Sequence, residues 1–150
     1  MENLVSELIE RPSWDEWFMS LAMIVSMRSP DISTKHGAVL CNSKKQIIGV
    51  GYNGFPRGSD DKSMPQERPL KYDMIIHAES NCLLNSQNLL LGDDYTMYVT
   101  GMPCPWCMNQ MVQAGVKTIV YGSVTSTCVD SSKINTVRKI AADHSVEMRW

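Results

Sequence analysis

"YTMYVTGMPCPWCMNQMVQAGVKTIVYG", residues 95–122, carries the reading of the fold. "YTMYVT" reads as a strand and "KTIVYG" as a second one. Between them "PWCMNQMVQAG" reads as a helix, with Pro105 near its first position and Gly115 at its end. Two strands joined through a helix are parallel members of one sheet. Cys104 and Cys107 sit where the first strand gives way to the helix. Residues three apart share a helix face, so both sulfurs reach one point. A helix N-terminus also favours thiolate, the form that binds metal. On this stretch alone the pair fits a redox couple, a corner of a structural zinc knuckle, or half of a catalytic metal site.

The alternation continues outward. "SSKINTVRKIAAD" is a helix and "VEMRW" a short closing strand. Upstream, a helix begins near His77 and runs through "AESNCLLNSQ". "HGAVLC" and "QIIGVGYNG" flank "NSKK" as an antiparallel hairpin. Residues 13–28, "SWDEWFMSLAMIVSMR", form an opening helix, with Ser13 as cap, Asp15 and Glu16 in the first turn and Arg28 in the last. Trp14, Trp17, Phe18, Leu21, Ile24 and Val25 recur at helical spacing and predict its core stripe. The expected class is α/β, a single domain over residues 1–150 in the order αββαβαβαβ. Its sheet is mixed and five-stranded, with the last three strands parallel and helices on both faces. Residues 55–72, "FPRGSDDKSMPQERPLKY", have the composition of an ordered loop or lid, and a loop of this length in a compact domain tends to be functional.

With 150 residues and 43% hydrophobic content, such a domain buries a full core without needing disulfides. A formal net charge of −2 argues against a basic face that tracks nucleic acid, and leaves room for a small phosphorylated ligand. "MENLVSELIE" is acidic and does not read as a signal peptide. No window approaches the ~18 apolar residues of a membrane span. The five cysteines are Cys41, Cys82, Cys104, Cys107 and Cys128, an odd count. Together these predict a reducing, cytoplasmic setting in which cysteines are metal ligands or core residues. Cys41 is expected to be a core residue.

"HAESN" places His77 at another expected helix N-terminus, and with the two cysteines it makes three protein ligands. His36, His144, Cys41, Cys82 and Cys128 are isolated, so no fourth ligand stands at a motif-like spacing. Three ligands leave a position open, which is the mark of a catalytic rather than a structural zinc. Two thiolates and a neutral imidazole cancel the metal's charge, so its water is acidified less than in a three-histidine site. Glu79, two residues after His77, is a carboxylate that can take that proton and deliver it elsewhere. The set suits attack on an amidine-like carbon followed by loss of ammonia.

"HAE" followed by "PCPWC" matches the H-x-E…P-C-x-x-C signature of zinc-dependent nucleotide deaminases. With "RSPDISTKHGAVLCNSKKQIIGVGYNGFPRGSDD", the chain resembles the deoxycytidylate (dCMP) deaminases from about residue 14 to 122, viral members included. The resemblance implies a three-layer α/β/α cytidine-deaminase-like fold and hydrolysis of dCMP to dUMP, which feeds thymidylate synthesis. It implies Zn²⁺ on His77, Cys104 and Cys107, with Glu79 as proton shuttle. Asn53 matches the asparagine that contacts the sugar, Ala78 lies within the "HAE" motif at the substrate, and Arg28, Ser29 and Tyr121 match the phosphate end. It further implies activation by dCTP with Mg²⁺ and inhibition by dTTP. That effector site would fall on the loop of Gly51, Gly54, Phe55, Arg57, Gly58, Asp60 and Asp61. A homo-oligomer, commonly a hexamer, is implied as well, in the host cytoplasm for a viral member. Ser80 departs from the apolar residue that often follows "HAE", and no second His and Cys set for the extra zinc of some phage relatives is present.

Plainer readings stand beside these. Asn53 in "NG" is also a routine turn signal, Arg57 is also a solvated loop charge, and Trp106 either stacks on a base or covers the core. A tRNA or single-strand deaminase would want a basic groove. A free-nucleoside deaminase would need neither Arg28 nor the long loop. A noncatalytic zinc module would have no use for Glu79.

Overall fold

In the computed structural model, which describes residues 10–86, 93–125 and 129–150, ten elements follow one another. They are α1 Trp14–Ser26, β1 Gly37–Cys41, β2 Ile47–Tyr52, α2 Leu70–Met74, α3 Ala78–Asn85, β3 Tyr95–Val99, α4 Pro105–Gln113, β4 Val116–Tyr121, α5 Ser131–Asp143 and β5 Glu147–Arg149. The strands form one five-stranded sheet in the order β2-β1-β3-β4-β5. β1 is antiparallel to β2 and to β3, while β3–β4 and β4–β5 are parallel, each parallel pair being joined through a helix.

Strand alternation sorts the side chains into two cores. Ala38 and Leu40 of β1 face Ala78 and Cys82 of α3, Met108 and Met111 of α4, and Val137 and Ala141 of α5. Val39 and Cys41 face the other way and meet Phe18 and Ala22 of α1, with Tyr98 of β3. The result is the expected three-layer arrangement, and each fully buried large apolar side chain contributes about 1.5–3 kcal/mol. Cys41 is a core residue, as expected.

Local chemistry sets the ends of the elements. Ser13 and Glu16 form a capping box on α1. Pro105 opens α4 and Gly115, at φ +90°, ends its turn. Asp130 caps α5 through the Lys133 N–H. At Gly51 an added Cβ would lie 2.2 Å from the Cys82 nitrogen and 2.5 Å from the Ala78 carbonyl oxygen. Glycine there lets α3 lie directly on β2, which fixes where His77 and Glu79 emerge.

Three expectations change. Helix α1 ends at Ser26 with Met27 as its cap, so Arg28 lies beyond the last turn. Its buried line is Phe18, Ala22 and Ser26, whereas Trp14 is 48% and Ile24 62% exposed. The cause is close approach: a Cβ at Gly37 would sit 2.0 Å from the Ala22 carbonyl oxygen, so α1 meets β1 through small residues. The large side chains are displaced to its flanks, where Trp14 and Trp17 pack on the Phe18 ring at 5.7 and 4.8 Å. The third change is α2, a short helix absent from the expected order, at the end of the 55–72 segment. That segment is closed at its base by reciprocal backbone bonds, Gly54 N–H to Ile76 O at 3.0 Å and Ile76 N–H to Gly54 O at 2.8 Å. Gln87, at the expected end of the helix that begins near His77, and Cys128 lie outside the described residues.

Candidate active site

Helices α3 and α4 begin side by side. His77 holds the cap position of α3 yet makes no side-chain cap bond. Its ring turns instead to the start of α4, where Nδ1 is 3.5 Å from Cys104 Sγ and 3.4 Å from Cys107 Sγ. Cys104 caps α4, its sulfur accepting from the Cys107 N–H at 3.5 Å. With Zn–S near 2.3 Å and Zn–N near 2.0–2.1 Å, sulfur and nitrogen on one tetrahedral ion stand about 3.5 Å apart. The donor set therefore fits zinc. Among the described residues it is the one His, Cys, Asp and Glu group whose donor atoms converge in this way.

The electrostatics agree with that fit. The Cys107 contact, reinforced by His77, pulls the Cys104 thiol down to about 4 against the effect of burial. Cys107, next to Cys104 and buried, is pushed up. Two thiols held this close resist ionising together, and a divalent cation between them relieves that penalty. Glu79 stands beside the cluster without being one of its donors, and is 6% exposed. Burial drives its carboxyl upward, with the His77 charge opposing. A carboxyl raised in this way holds a proton more readily than an exposed one, as a group that both takes and gives protons must.

One cavity spans this corner and a second, polar end. His77, Ala78, Glu79, Gly101, Met102 and Cys104 line the first, while Asp31, Thr34, His36, Asn53, Arg68, Lys71 and Tyr72 line the second. Asn53 is fixed on every side. Its Oδ1 accepts from the His36 N–H at 2.8 Å, and its Nδ2 donates to Thr34 O at 3.0 Å and to Asp31 Oδ2 at 3.4 Å. Ser29 Oγ donates to the Asn53 carbonyl at 2.7 Å. Asp31 pairs with Lys71 Nζ at 3.1 Å, and both are buried, at 5% and 2% exposure. Burial pushes the Asp31 carboxyl up, but the Ser33 and Thr34 N–H groups and Lys71 outweigh it and hold it below the ordinary range.

Residues 12–123 match the family described as the cytidine and deoxycytidylate deaminase zinc-binding region. The chain belongs to this family. It is 36% identical over 116 residues to human deoxycytidylate deaminase, a stretch covering 73% of this chain and 65% of that one. The chain thus spans just under two thirds of that relative's length. An uncharacterized deaminase of Aliivibrio fischeri is 32% identical over 139 residues, covering 91% of this chain and 92% of its own. Among solved structures, the dCMP deaminase of cyanophage S-TIM5 in apo form superimposes with a TM-score of 0.69 at 25% identity, over 93% of this chain and 98% of that one. The same phage protein has been solved in complex with dCMP and dUMP, with a TM-score of 0.67 at 24% identity over 94% of this chain and 99% of that one. The fold of the family is thus the fold of this chain.

Not every residue that the sequence suggested for this deaminase-family site meets the cavity. Asn53 and Ala78 line it, and Ser29 stands one step behind, buttressing Asn53. Arg28 is exposed and is not part of the lining. Tyr121 lines a different pocket, with Arg138 and Met148, which shares Met102 with the first. Trp106 is 70% exposed and neither covers the core nor lines the cavity.

The Gly51–Asp61 segment divides in the same way. Phe55 and Arg57 line a separate groove with Tyr52, Asn81 and Leu84, and Arg57 Nη2 donates to Asn85 Oδ1 at 2.8 Å. Gly51 is accounted for by helix packing and Gly54 by the bond with Ile76. Gly58, at φ +87°, makes an exposed turn. Asp60 accepts from the Lys62 N–H at 3.2 Å, and Asp61 is exposed.

Sequence reasoning missed Asp31, Thr34, His36, Arg68, Lys71 and Tyr72 as parts of this family's cavity. For the last three the lid-like composition of residues 55–72 was a signal; for Asp31 none was present, since its partner is forty positions away. Ser80 also gains a role, donating to Gln110 Oε1 and lying 3.7 Å from Cys107 Sγ, so that it ties α3 to α4 at the metal corner.

Proposed function

We propose that this protein is a hydrolytic deaminase that converts dCMP and water to dUMP and ammonia. The observation that carries the reading is the buried Glu79 carboxyl beside the convergent donors of His77, Cys104 and Cys107, in one cavity with Asn53. His77, Cys104 and Cys107 would hold zinc, which when bound would supply the Lewis-acid chemistry that makes water nucleophilic. Glu79 would take one proton from the attacking water and pass it to the ring nitrogen N3, then carry the second proton from the resulting C4 hydroxyl to the amine, so that ammonia leaves as the C4 carbonyl forms. Its raised pKa suits both directions of transfer. Asn53 holds the sugar and Ala78 forms the wall at the base. The names of the human and cyanophage relatives, and the phage protein's complex with dCMP and dUMP, support this substrate.

The reading extends to a single domain over residues 1–150 that supplies dUMP for thymidylate synthesis. It includes activation by dCTP carried in with Mg²⁺ and inhibition by dTTP, with Phe55 and Arg57 in their groove as effector contacts. It also includes a homo-oligomer, a hexamer by family habit, working in the cytoplasm, which is the host's if the source is viral. Among the described residues no helix is long and apolar enough to cross a membrane. The deciding experiment is ammonia release by zinc-loaded protein from dCMP, CMP, dCTP and deoxycytidine. Preference for dCMP is expected. Release from none of them by fully zinc-loaded protein overturns the reading in favour of a noncatalytic zinc module.

A further inference from the structure

His36 immediately precedes β1 and lines the cavity. Its backbone is joined to Asn53 in both directions: the His36 N–H donates to Asn53 Oδ1 at 2.8 Å, and the His36 carbonyl accepts from the Asn53 N–H at 3.2 Å. Its imidazole packs on Gly101, where an added Cβ would sit 2.8 Å from His36 Cε1. Nδ1 lies 3.3 Å from Thr100 Oγ1.

Thr100 settles the position of the ring proton. It is fully buried, and its hydroxyl oxygen already accepts from the Gly37 N–H at 3.1 Å. A buried hydroxyl also needs an acceptor for its own proton. Among the described contacts of that hydroxyl, His36 Nδ1 is the one that can accept. The neutral imidazole therefore carries its hydrogen on Nε2. Burial and the nearby His77 both push the His36 pKa down, which keeps the ring neutral. Nε2 is itself buried and, among the described residues, is the one buried side-chain nitrogen or oxygen that lacks a partner. An unpaired buried donor is destabilising in the free protein, and His36 belongs to the cavity wall.

We propose that the Nε2–H of His36 donates to a neutral acceptor oxygen of the bound nucleotide, either the pyrimidine carbonyl or a sugar oxygen, and is a specificity-determining contact. This rests on the reading of the cavity as a nucleotide site. Because the His36 backbone is tied to Asn53, the two side chains form one rigid unit that aligns the ligand relative to Glu79.

Two variants test it. His36→Val removes the donor, whereas His36→Gln keeps an amide N–H near the place of Nε2. His36→Val is expected to raise the KM for dCMP about two- to tenfold, the range of one neutral hydrogen bond, with kcat and zinc content near wild type. It should weaken dUMP binding by calorimetry to a similar extent, and His36→Gln should restore most of both. The 3′-deoxy analogue of dCMP identifies the acceptor. Loss of the His36→Val penalty on that substrate assigns the 3′ oxygen, and an undiminished penalty assigns the base carbonyl or another sugar oxygen. Unchanged KM and dUMP affinity in His36→Val overturn the proposal, as does a loss explained by lower zinc content or a lower Tm. Wild-type protein that neither deaminates nor binds any cytosine nucleotide overturns the parent reading instead. Equal dUMP binding by wild type and His36→Val overturns this inference alone.

Discussion

The cavity has two ends built on different principles. At the metal corner, each donor sits at the cap or in the first turn of a helix, and two such starts, α3 and α4, lie side by side. The geometry there follows from short-range spacing: Glu79 stands two positions after His77, and Cys107 three positions after Cys104. At the polar end nothing is local. Asp31 reaches Lys71 across forty positions, Asn53 is held by His36, Thr34 and Ser29, and Arg68 lies with its guanidinium 5.2 Å from the Tyr72 ring centroid. In the proposed reading, chemistry is thus attached to helix ends, and recognition to a patchwork assembled by folding.

The largest expected effect tests the metal corner. Glu79→Gln keeps shape and hydrogen bonding but cannot accept the proton. Turnover should fall by about 10²–10⁴ while zinc content stays at the wild-type value. Rate and metal content measured on one sample check this, and substantial activity in zinc-loaded Glu79→Gln would remove the contrast between the two ends.

Next comes the buried pair at the polar end. Lys71→Met leaves the Asp31 carboxylate buried without its cation, a loss of about 3–5 kcal/mol in urea unfolding. Adding Asp31→Asn should recover part of it. The pH dependence has a definite sign. The folded pKa of Asp31 lies below its ordinary 3.8, so its stabilising contribution is fully present above that value and is lost as pH falls through the folded pKa. Acid unfolding should therefore begin at higher pH in Lys71→Met than in wild type.

A smaller effect separates two arginines. Among the described residues, Arg68 is the cavity-lining cation that forms no ion pair. Arg68→Ala should weaken dCMP relative to deoxycytidine by about tenfold, the low end for a charge-assisted hydrogen bond at an exposed rim. Arg28→Ala should not discriminate between the two substrates. The reverse result would place the phosphate outside the described cavity, at the segment that the family resemblance indicates.

The smallest effect concerns regulation. Arg57→Ala should blunt both dCTP activation and dTTP inhibition at subsaturating dCMP, with zinc content intact. Initial rates across a dCMP titration decide it, and wild-type curves insensitive to both nucleotides would leave the Arg57 groove without that role.

The same contrast governs what could be read in advance. His77, Glu79, Cys104 and Cys107 were legible because each pair stands at short motif spacing at a helix start and their donor chemistry suits one metal, and the sheet order followed from alternation and crossovers. Asp31, Lys71 and His36 were not, because a pairing across the fold leaves no periodic trace. The face of α1 was misread for a related reason. Periodicity locates an apolar stripe, but Gly37 decides which residues of the stripe approach the sheet.

The paired bonds between Gly54 and Ile76 have one further consequence. They staple the excursion of residues 55–75 at its base, so the distance from Asn53 to His77 does not depend on what lies between. Lengthening such an excursion twofold adds only about 0.6 kcal/mol of closure entropy. Arg68, Lys71 and Tyr72 all ride on it. The segment is in effect an exchangeable cassette. Lineages, or protein engineers, can alter what the rim accepts by replacing it whole, provided that the new segment supplies a partner for Asp31, while the proton-transfer frame beneath stays in register.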